Sequence, residues 1–144
     1  MCITRAGSLP FSKIIHAVIP EYSPGDEGAI HNAVSQILEQ AISEGIRSLA
    51  FNAMGVAKAG YTVQDSTNQI VHSVVDFFKK RTFTFNEICF VGFMEDHVQA
   101  FKSVCRQKFK TQFNDHEAKQ RDDDKSSNAV CFSFSLLSSC VQSI

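Results

Sequence analysis

Long apolar runs, an excess of charge and a secretion signal are all absent from this sequence. No run reaches the roughly 20 apolar residues of a transmembrane helix, so we expect no membrane partner. The formal net charge is -1, which predicts no general attraction to nucleic acid. The N-terminal residues MCITRAGSLP lack a basic segment followed by an apolar stretch. They therefore do not form a signal peptide, and we expect a location in the nucleus or cytoplasm.

The sequence also lacks the cysteine and histidine spacing of a metal site. There are five cysteines and five histidines, with no CxxC pair and no spaced histidine ligands. An odd number of cysteines without a motif predicts reduced, mostly buried thiols. The sequence thus predicts no metal site and no cofactor.

Apolar runs alternate with segments of helical periodicity over residues 1–112. The runs near 14–19, 48–54 and 87–93 predict buried strands. The periodic segments predict helices that begin near Ser23, at Asp65 or Ser66, and at Glu95 or Asp96. This order predicts an α/β fold with three αβα layers around a mostly parallel sheet.

Beyond this domain the character of the chain changes. In residues 113–144, Phe113 is followed by the polar stretch NDHEAKQRDDDKSSN, which is typical of a linker. The apolar segment AVCFSFSLLSSCV follows, and it is either an edge strand or an unstructured tail. The absence of helix caps favours a disordered tail.

A glycine-containing loop follows the second predicted strand. In FNAMGVAKAGY, Phe51–Tyr61, two glycines and three alanines precede a helix. Ligands bind beyond the carboxyl ends of strands in parallel sheets, and amides in such a turn form a site for anions. The pattern therefore indicates a phosphate-binding loop.

Three segments together resemble a macro domain. ITRAGSLPFSKIIHAVIP is similar to the family segment with a T-x-A-G-x-L-P motif and a strand ending I-H-A-V-x-P. SLAFNAMGVAKAGYTVQDS stands at the place of the family's strand and phosphate loop, and EICFVGFMEDHVQAFK at that of its last strand and helix. The segment AGSLP most resembles the corresponding segment in macro domains of the poly(ADP-ribose) polymerase family.

The resemblance implies a site for ADP-ribose. The loop amides would hold the diphosphate and distal ribose, and Phe93 is the candidate for stacking on the adenine. The implied loop residues are Gly55, Val56, Ala57, Lys58, Ala59, Gly60 and Tyr61. Ala57 stands where the family has a glycine, so a requirement for positive φ at that position would cost about 1 kcal/mol.

The resemblance also implies that the first strands of the domain are lacking. Met1 falls before what would be a middle strand, and the family's adenine-binding aspartate and second glycine loop have no counterpart. We expect a truncated isoform or a gene-model fragment, and ADP-ribose binding that is weakened by the truncation.

Three functions follow from this sequence. The first is a module that binds ADP-ribose or ADP-ribosylated proteins, and the second is a non-binding structural or interaction fragment of an ADP-ribosyltransferase family protein. A hydrolase ranks last, because the family's hydrolytic residues lie in the missing part, so we expect no enzyme and no catalytic residue. His16 is interpreted as a buried or half-buried structural histidine, and the acidic residues Asp65, Glu95 and Asp96 as helix caps.

Overall fold

The computed structural model describes residues 1–25, 28–80, 85–108 and 128–133, the last segment by its backbone. Five strands and three helices lie in these ranges. In chain order they are β1 (Cys2–Arg5), β2 (Lys13–His16), α1 (Ala29–Ser43), β3 (Ser48–Asn52), α2 (Val63–Lys80), β4 (Glu87–Gly92), α3 (Glu95–Lys108) and β5 (Asn128–Ser133). The α/β class predicted from the alternation is confirmed.

Strand β4 lies at the centre of a three-stranded sheet. It pairs with β3 in parallel, with Phe51 opposite Phe90, as the sequence predicted for these two runs. Its other edge pairs with β5 in antiparallel register. One segment of the predicted tail is therefore an edge strand, and the remainder of residues 109–144 lies outside the described residues.

Strand β2 departs from the prediction of a single parallel sheet. It ends at His16 rather than near residue 19 and pairs with β1 in antiparallel register. Within the described ranges, no strand joins β2 to β3. The physical reason is proximity in sequence, because a short turn lets β1 supply a complete hydrogen-bond ladder locally.

The three helices pack in the order α1, α2, α3. Polar groups fix the α1–α2 contact: the Ser73 hydroxyl donates to the His31 carbonyl at 2.8 Å and lies 3.0 Å from the Ser35 hydroxyl. Buried hydroxyls that share partners in this way hold two helices in one register.

On β3 the alternate residues Ser48, Ala50 and Asn52 are exposed, whereas Phe51 is buried.

Phenylalanines form much of the core between the helices and β4. Phe90 stacks on Phe101 with ring centroids 5.1 Å apart, and Phe85 meets Phe78 edge to face. Six phenylalanines are buried in the described ranges: Phe51, Phe77, Phe78, Phe85, Phe90 and Phe101. Phe93, in contrast, has 87% of its surface exposed.

The helix ends show where local signals were correct and where they were not. Helix α1 begins at Ala29 and not near Ser23, the predicted start. Gly45 has φ of 67° and ends α1, as expected of a glycine in the left-handed region. The start of α2 was predicted wrongly, since Thr62 and not Asp65 or Ser66 caps it. The Thr62 hydroxyl accepts the Asp65 amide at 3.0 Å, which is the first half of a capping box.

The cysteines differ from the sequence expectation at one position. Cys2 and Cys105 are free thiols, and Cys105 is buried. Cys89 on β4 is disulfide-bonded, so the prediction of reduced thiols is wrong for this residue.

No helix in the described part of the chain combines the length and apolar character needed to cross a membrane.

Candidate functional site

Two loops leave the sheet at the same edge. The parallel register, with Asn52 opposite Val91, places the carboxyl ends of β3 and β4 side by side. The loop of residues 53–60 leaves β3 there, and Phe93 and Met94 follow β4. This is the edge at which parallel sheets bind ligands.

Two glycines shape the loop after β3. Gly55 and Gly60 have φ of 78° and 79°, in the left-handed region that glycine adopts without strain. The Tyr61 amide donates to the Gly55 carbonyl at 3.3 Å and closes the loop on itself. The left-handed backbone thus falls on glycines, while Ala57, where the family has a glycine, lies on the exposed part of the loop.

The loop presents a run of available amide groups. The amides of residues 56–60 donate no hydrogen bond to the described part of the chain. Successive amides in a turn form a concave site that suits a phosphate oxygen. Such a group accepts several N–H donors at once, so this run of the described residues is suited to a diphosphate.

The first turn of α2 contributes less than the sequence suggested. The Asp65 amide is satisfied by Thr62, and the Thr62 hydroxyl donates to an Asp65 carboxylate oxygen at 2.6 Å. The Ser66 hydroxyl donates to the Met54 carbonyl at 2.7 Å and fixes the base of the loop on the helix. Asp65 therefore already occupies the positive end of the helix dipole, which leaves the loop amides as the principal anion donors.

The predicted loop residues fall into two groups. Ala57 and Lys58 are exposed, and Lys58 supplies the one positive charge in the loop sequence. Tyr61 is 3% exposed and belongs to the hydrophobic core. Its side chain therefore supports the loop from the core side, whereas Ala57 and Lys58 face solvent.

Phe93 presents an aromatic ring at the same edge of the sheet. With 87% of its surface exposed, the ring has no packing role that would explain its position. Exposed aromatic rings beside an anion site are typical platforms for a nucleobase. Met94 beside it is also largely exposed, at 56%.

The other residues singled out from the sequence have structural partners. Exposed His16 pairs with the Thr4 hydroxyl at 2.9 Å across the β1–β2 hairpin. At the start of α3, the Asp96 carboxylate accepts the His97 amide and the Glu95 carboxylate accepts the Gln99 side-chain amide. In the described ranges, no cluster of three or more His, Cys, Asp or Glu side chains could hold a metal ion.

The sequence did not identify the segment after β2 as part of this region. Ile19 packs beneath Gly55, and the Tyr22 amide donates to the Ala59 carbonyl at 2.6 Å. The rings of Tyr22 and Tyr61 meet edge to face, with centroids 5.3 Å apart. No local pattern signals these contacts, because they join segments that are far apart in the chain.

Comparison with known proteins agrees with this geometry. Residues 1–70 match the family model described as Macro domain. The structure is similar to an Oceanobacillus iheyensis macrodomain with ADP, with a TM-score of 0.68 and 18% sequence identity over 77% of this chain and 59% of that one. It is also similar to a variant of that macrodomain with ADPR, with a TM-score of 0.66 over 74% of this chain and 57% of that one at 19% identity.

Two of the curated relatives come from bacteria of the genus Citrobacter. An O-acetyl-ADP-ribose deacetylase of Citrobacter koseri is 31% identical over 114 residues, which are 74% of this chain and 61% of the relative. A protein of the same name from Citrobacter rodentium is 28% identical over 109 residues, again 74% of this chain and 61% of the relative. The chain thus spans about three fifths of the length of these relatives.

These relatives correct two predictions. The expectation of a module outside the enzymes is overturned, because the relatives carry the name of a deacetylase. The finer resemblance to the poly(ADP-ribose) polymerase family finds no support among them. The predicted truncation and the predicted nuclear or cytoplasmic location stay predictions.

The family match over residues 1–70 and the shared fold over 77% of the chain point to the same conclusion. The chain therefore has the fold of the Oceanobacillus iheyensis macrodomain.

Proposed function

We propose that this chain binds ADP-ribose and its derivatives through the loop of residues 55–60, with Phe93 as the platform for the adenine. The observation that carries the proposal is the run of five amides, residues 56–60, that donate to no described residue. They lie at the carboxyl edge of β3 and β4. The solved macrodomains that resemble this chain include forms with ADP and with ADPR.

The charge distribution favours a diphosphate over a neutral sugar. Lys58 adds a positive charge to a row of N–H donors, and charge-assisted hydrogen bonds to phosphate are roughly twice as strong as neutral ones. The Asp65 carboxylate accepts the Thr62 hydroxyl at 2.6 Å. A ligand with one diphosphate and one base would therefore contact the loop through the diphosphate and the Phe93 ring through the base.

Titration calorimetry of the 144-residue chain with ADP-ribose tests the proposal. Ala57 is exposed, so Ala57→Asp adds a negative charge in the loop without disturbing the core, and Ala57→Asn is its neutral match. We expect Ala57→Asp to weaken binding at least about tenfold, or about 1.4 kcal/mol, and Ala57→Asn to weaken it less. The weak affinity expected from the sequence is measured in the same experiment.

Equal affinities for the two variants would show that the ligand does not sit on this loop. Absence of binding by the unaltered chain would remove the proposal altogether.

The relatives favour a second function, hydrolysis of an ester of ADP-ribose. Water would attack the acetyl carbon, the ester C–O bond would break, and acetate and ADP-ribose would leave. Loop amides that hold the diphosphate would position such an ester, and N–H donors stabilise the oxyanion that forms on the acetyl group. The assay for this function incubates the protein with O-acetyl-ADP-ribose and measures the ADP-ribose released by chromatography. The variant Ala57→Asp, assayed in parallel, is the control. Product formation at the same rate in both proteins would exclude the loop from the reaction.

A further inference from the structure

The chain after β2 touches the loop at both of its ends. We call residues 19–22 the strap. At one end of the loop, a Cβ placed on Gly55 would stand 3.3 Å from Ile19 Cγ2. At the other end, the Tyr22 amide donates to the Ala59 carbonyl at 2.6 Å.

Tyr22 makes two further contacts with the loop. A Cβ placed on Gly60 would stand 3.8 Å from Tyr22 Cβ, at ordinary van der Waals distance. The Tyr22 ring meets the ring of Tyr61 edge to face, at 5.3 Å and 76°. Tyr61 is 3% exposed and is therefore fixed in the core. Tyr22 thus joins the outer end of the loop to a rigid ring.

These contacts constrain the direction in which the loop amides point. The hydrogen bond at Ala59 fixes the peptide plane between Ala59 and Gly60, which includes the Gly60 amide. The amide of Tyr61, bonded to the Gly55 carbonyl, closes the loop on the other side. Since an anion must be met by several amides at once, a loop held in this shape before binding loses less entropy on binding.

We infer that Tyr22 is a positioning residue, which holds the loop of residues 55–60 in its anion-binding shape through its amide and its ring. The inference rests on the proposed function for its ligand, ADP-ribose. The Tyr22 side chain is 44% exposed, so its replacement removes the support of the loop and leaves the core intact. The hydroxyl takes no part in the role assigned here.

Three variants of the full chain separate this role from others. Tyr22→Ala removes the ring contact, and Tyr22→Phe keeps the ring and removes the hydroxyl. Phe11→Ala is the matched control, because Phe11 is an exposed aromatic residue at 60% that lies before β2, at the end of the strand away from the strap. Thermal unfolding of each variant reports whether the fold as a whole is retained.

Amide hydrogen exchange provides a readout that does not depend on a ligand. We expect Tyr22→Ala to speed exchange of the Tyr61 amide about tenfold, which corresponds to about 1.4 kcal/mol of local opening free energy. The buried amides of β4 should keep their protection. Tyr22→Phe and Phe11→Ala should remain within about twofold of the unaltered chain. Unchanged exchange at Tyr61 in Tyr22→Ala would overturn the inference whether or not a ligand binds.

Titration with ADP-ribose gives the second readout. We expect Tyr22→Ala to raise the Kd about tenfold and Tyr22→Phe to restore it. If Tyr22→Phe binds as weakly as Tyr22→Ala, the hydroxyl contacts the ligand directly and the positioning role is wrong. If the unaltered chain binds no ADP-ribose while Tyr22→Ala still speeds exchange at Tyr61, the proposed function fails and the role of Tyr22 in shaping the loop stands.

Discussion

Gly55 lies directly against the ring of Tyr61. A Cβ built on Gly55 would stand 2.8 Å from Tyr61 Cδ2, which is closer than non-bonded carbon atoms approach each other in proteins. Tyr61 is 3% exposed and packed into the core, so its ring cannot move aside at low cost. The glycine therefore serves two needs at once, a left-handed backbone and the absence of a side chain.

We predict that Gly55→Ala destabilises the protein more than an ordinary loss of glycine. The backbone at φ 78° costs an alanine about 1 kcal/mol, and the overlap with the Tyr61 ring adds roughly 1–3 kcal/mol. Urea unfolding at equilibrium measures the difference. Gly7→Ala is the control, because Gly7 has φ of 63° and nothing within 4 Å of an added Cβ. Equal losses in the two variants would show that the ring yields.

Thr62 provides the second prediction, on the stability of α2. Its hydroxyl accepts the Asp65 amide at 3.0 Å, so Thr62→Ala leaves that amide without its cap. We expect a loss of about 1 kcal/mol in the free energy of unfolding. Thr62→Ser retains the hydroxyl and should recover most of it. A variant with serine as unstable as the one with alanine would point to the threonine methyl group instead of the cap.

His72 gives the protein a dependence on pH. Partial burial lowers the pKa of His72 below its ordinary value of 6.5, and Lys108 on α3 lowers it further. His31 on α1 and Lys79 on α2 also lower the pKa, while Asp76 raises it. The charged imidazole is therefore disfavoured in the folded protein.

The sign of the effect follows from proton binding. Between the lowered pKa of the folded protein and 6.5, the unfolded chain binds more protons at this residue. Stability consequently falls as the pH is lowered through that window and is unaffected by His72 above it. We expect His72→Gln to show a shallower loss than the unaltered chain in urea unfolding over the same range. If the free energy of unfolding of the two proteins fell equally with pH, groups other than His72 would cause the pH dependence.

The two described free thiols should differ in reactivity. Cys2 is exposed, whereas Cys105 is buried, and burial strongly raises the pKa of the Cys105 thiol. The thiolate is the species that reacts with iodoacetamide, so at about pH 8 we expect Cys2 to be alkylated in the folded protein and Cys105 to react only in urea. Peptide mass spectrometry distinguishes the two positions, and Cys2→Ser should abolish native labelling at Cys2. Alkylation of Cys105 without denaturant would contradict its burial.

Local patterns predicted the elements that carry the site. The apolar runs around Phe51 and Phe90 predicted β3 and β4, and their parallel pairing places the glycine loop at a ligand-binding edge. The Thr62 cap also has a local signal in the sequence, a threonine three residues before the acidic Asp65. Short-range signals of this kind depend on neighbouring residues alone, which is why they can be found without a structure.

Contacts between distant segments could not be predicted in this way. Nothing in the residues around Tyr22 indicates that its amide reaches the Ala59 carbonyl, or that its ring meets Tyr61. The pairing of β5 with β4 likewise depends on register between remote segments. Strand pairing of this type is fixed by the tertiary context rather than by intrinsic preference, so the sequence left the edge strand and the tail as alternatives.

Phe93 provides the last prediction, on recognition of the base. Its ring is 87% exposed, so Phe93→Ala should leave the free energy of unfolding within about 0.5 kcal/mol of the unaltered value. Stacking of a base on an aromatic ring is worth about 1–3 kcal/mol, so we expect the variant to bind ADP-ribose at least fivefold more weakly, by the relation of about 1.4 kcal/mol per tenfold. Ribose 5-phosphate, which has no base, should bind the variant and the unaltered chain alike. Phe93→Tyr keeps an aromatic face and should retain affinity for ADP-ribose. Titration calorimetry of both ligands against the three proteins decides the matter, since an equal loss for the two ligands would assign Phe93 to the phosphate side of the site and not to the adenine.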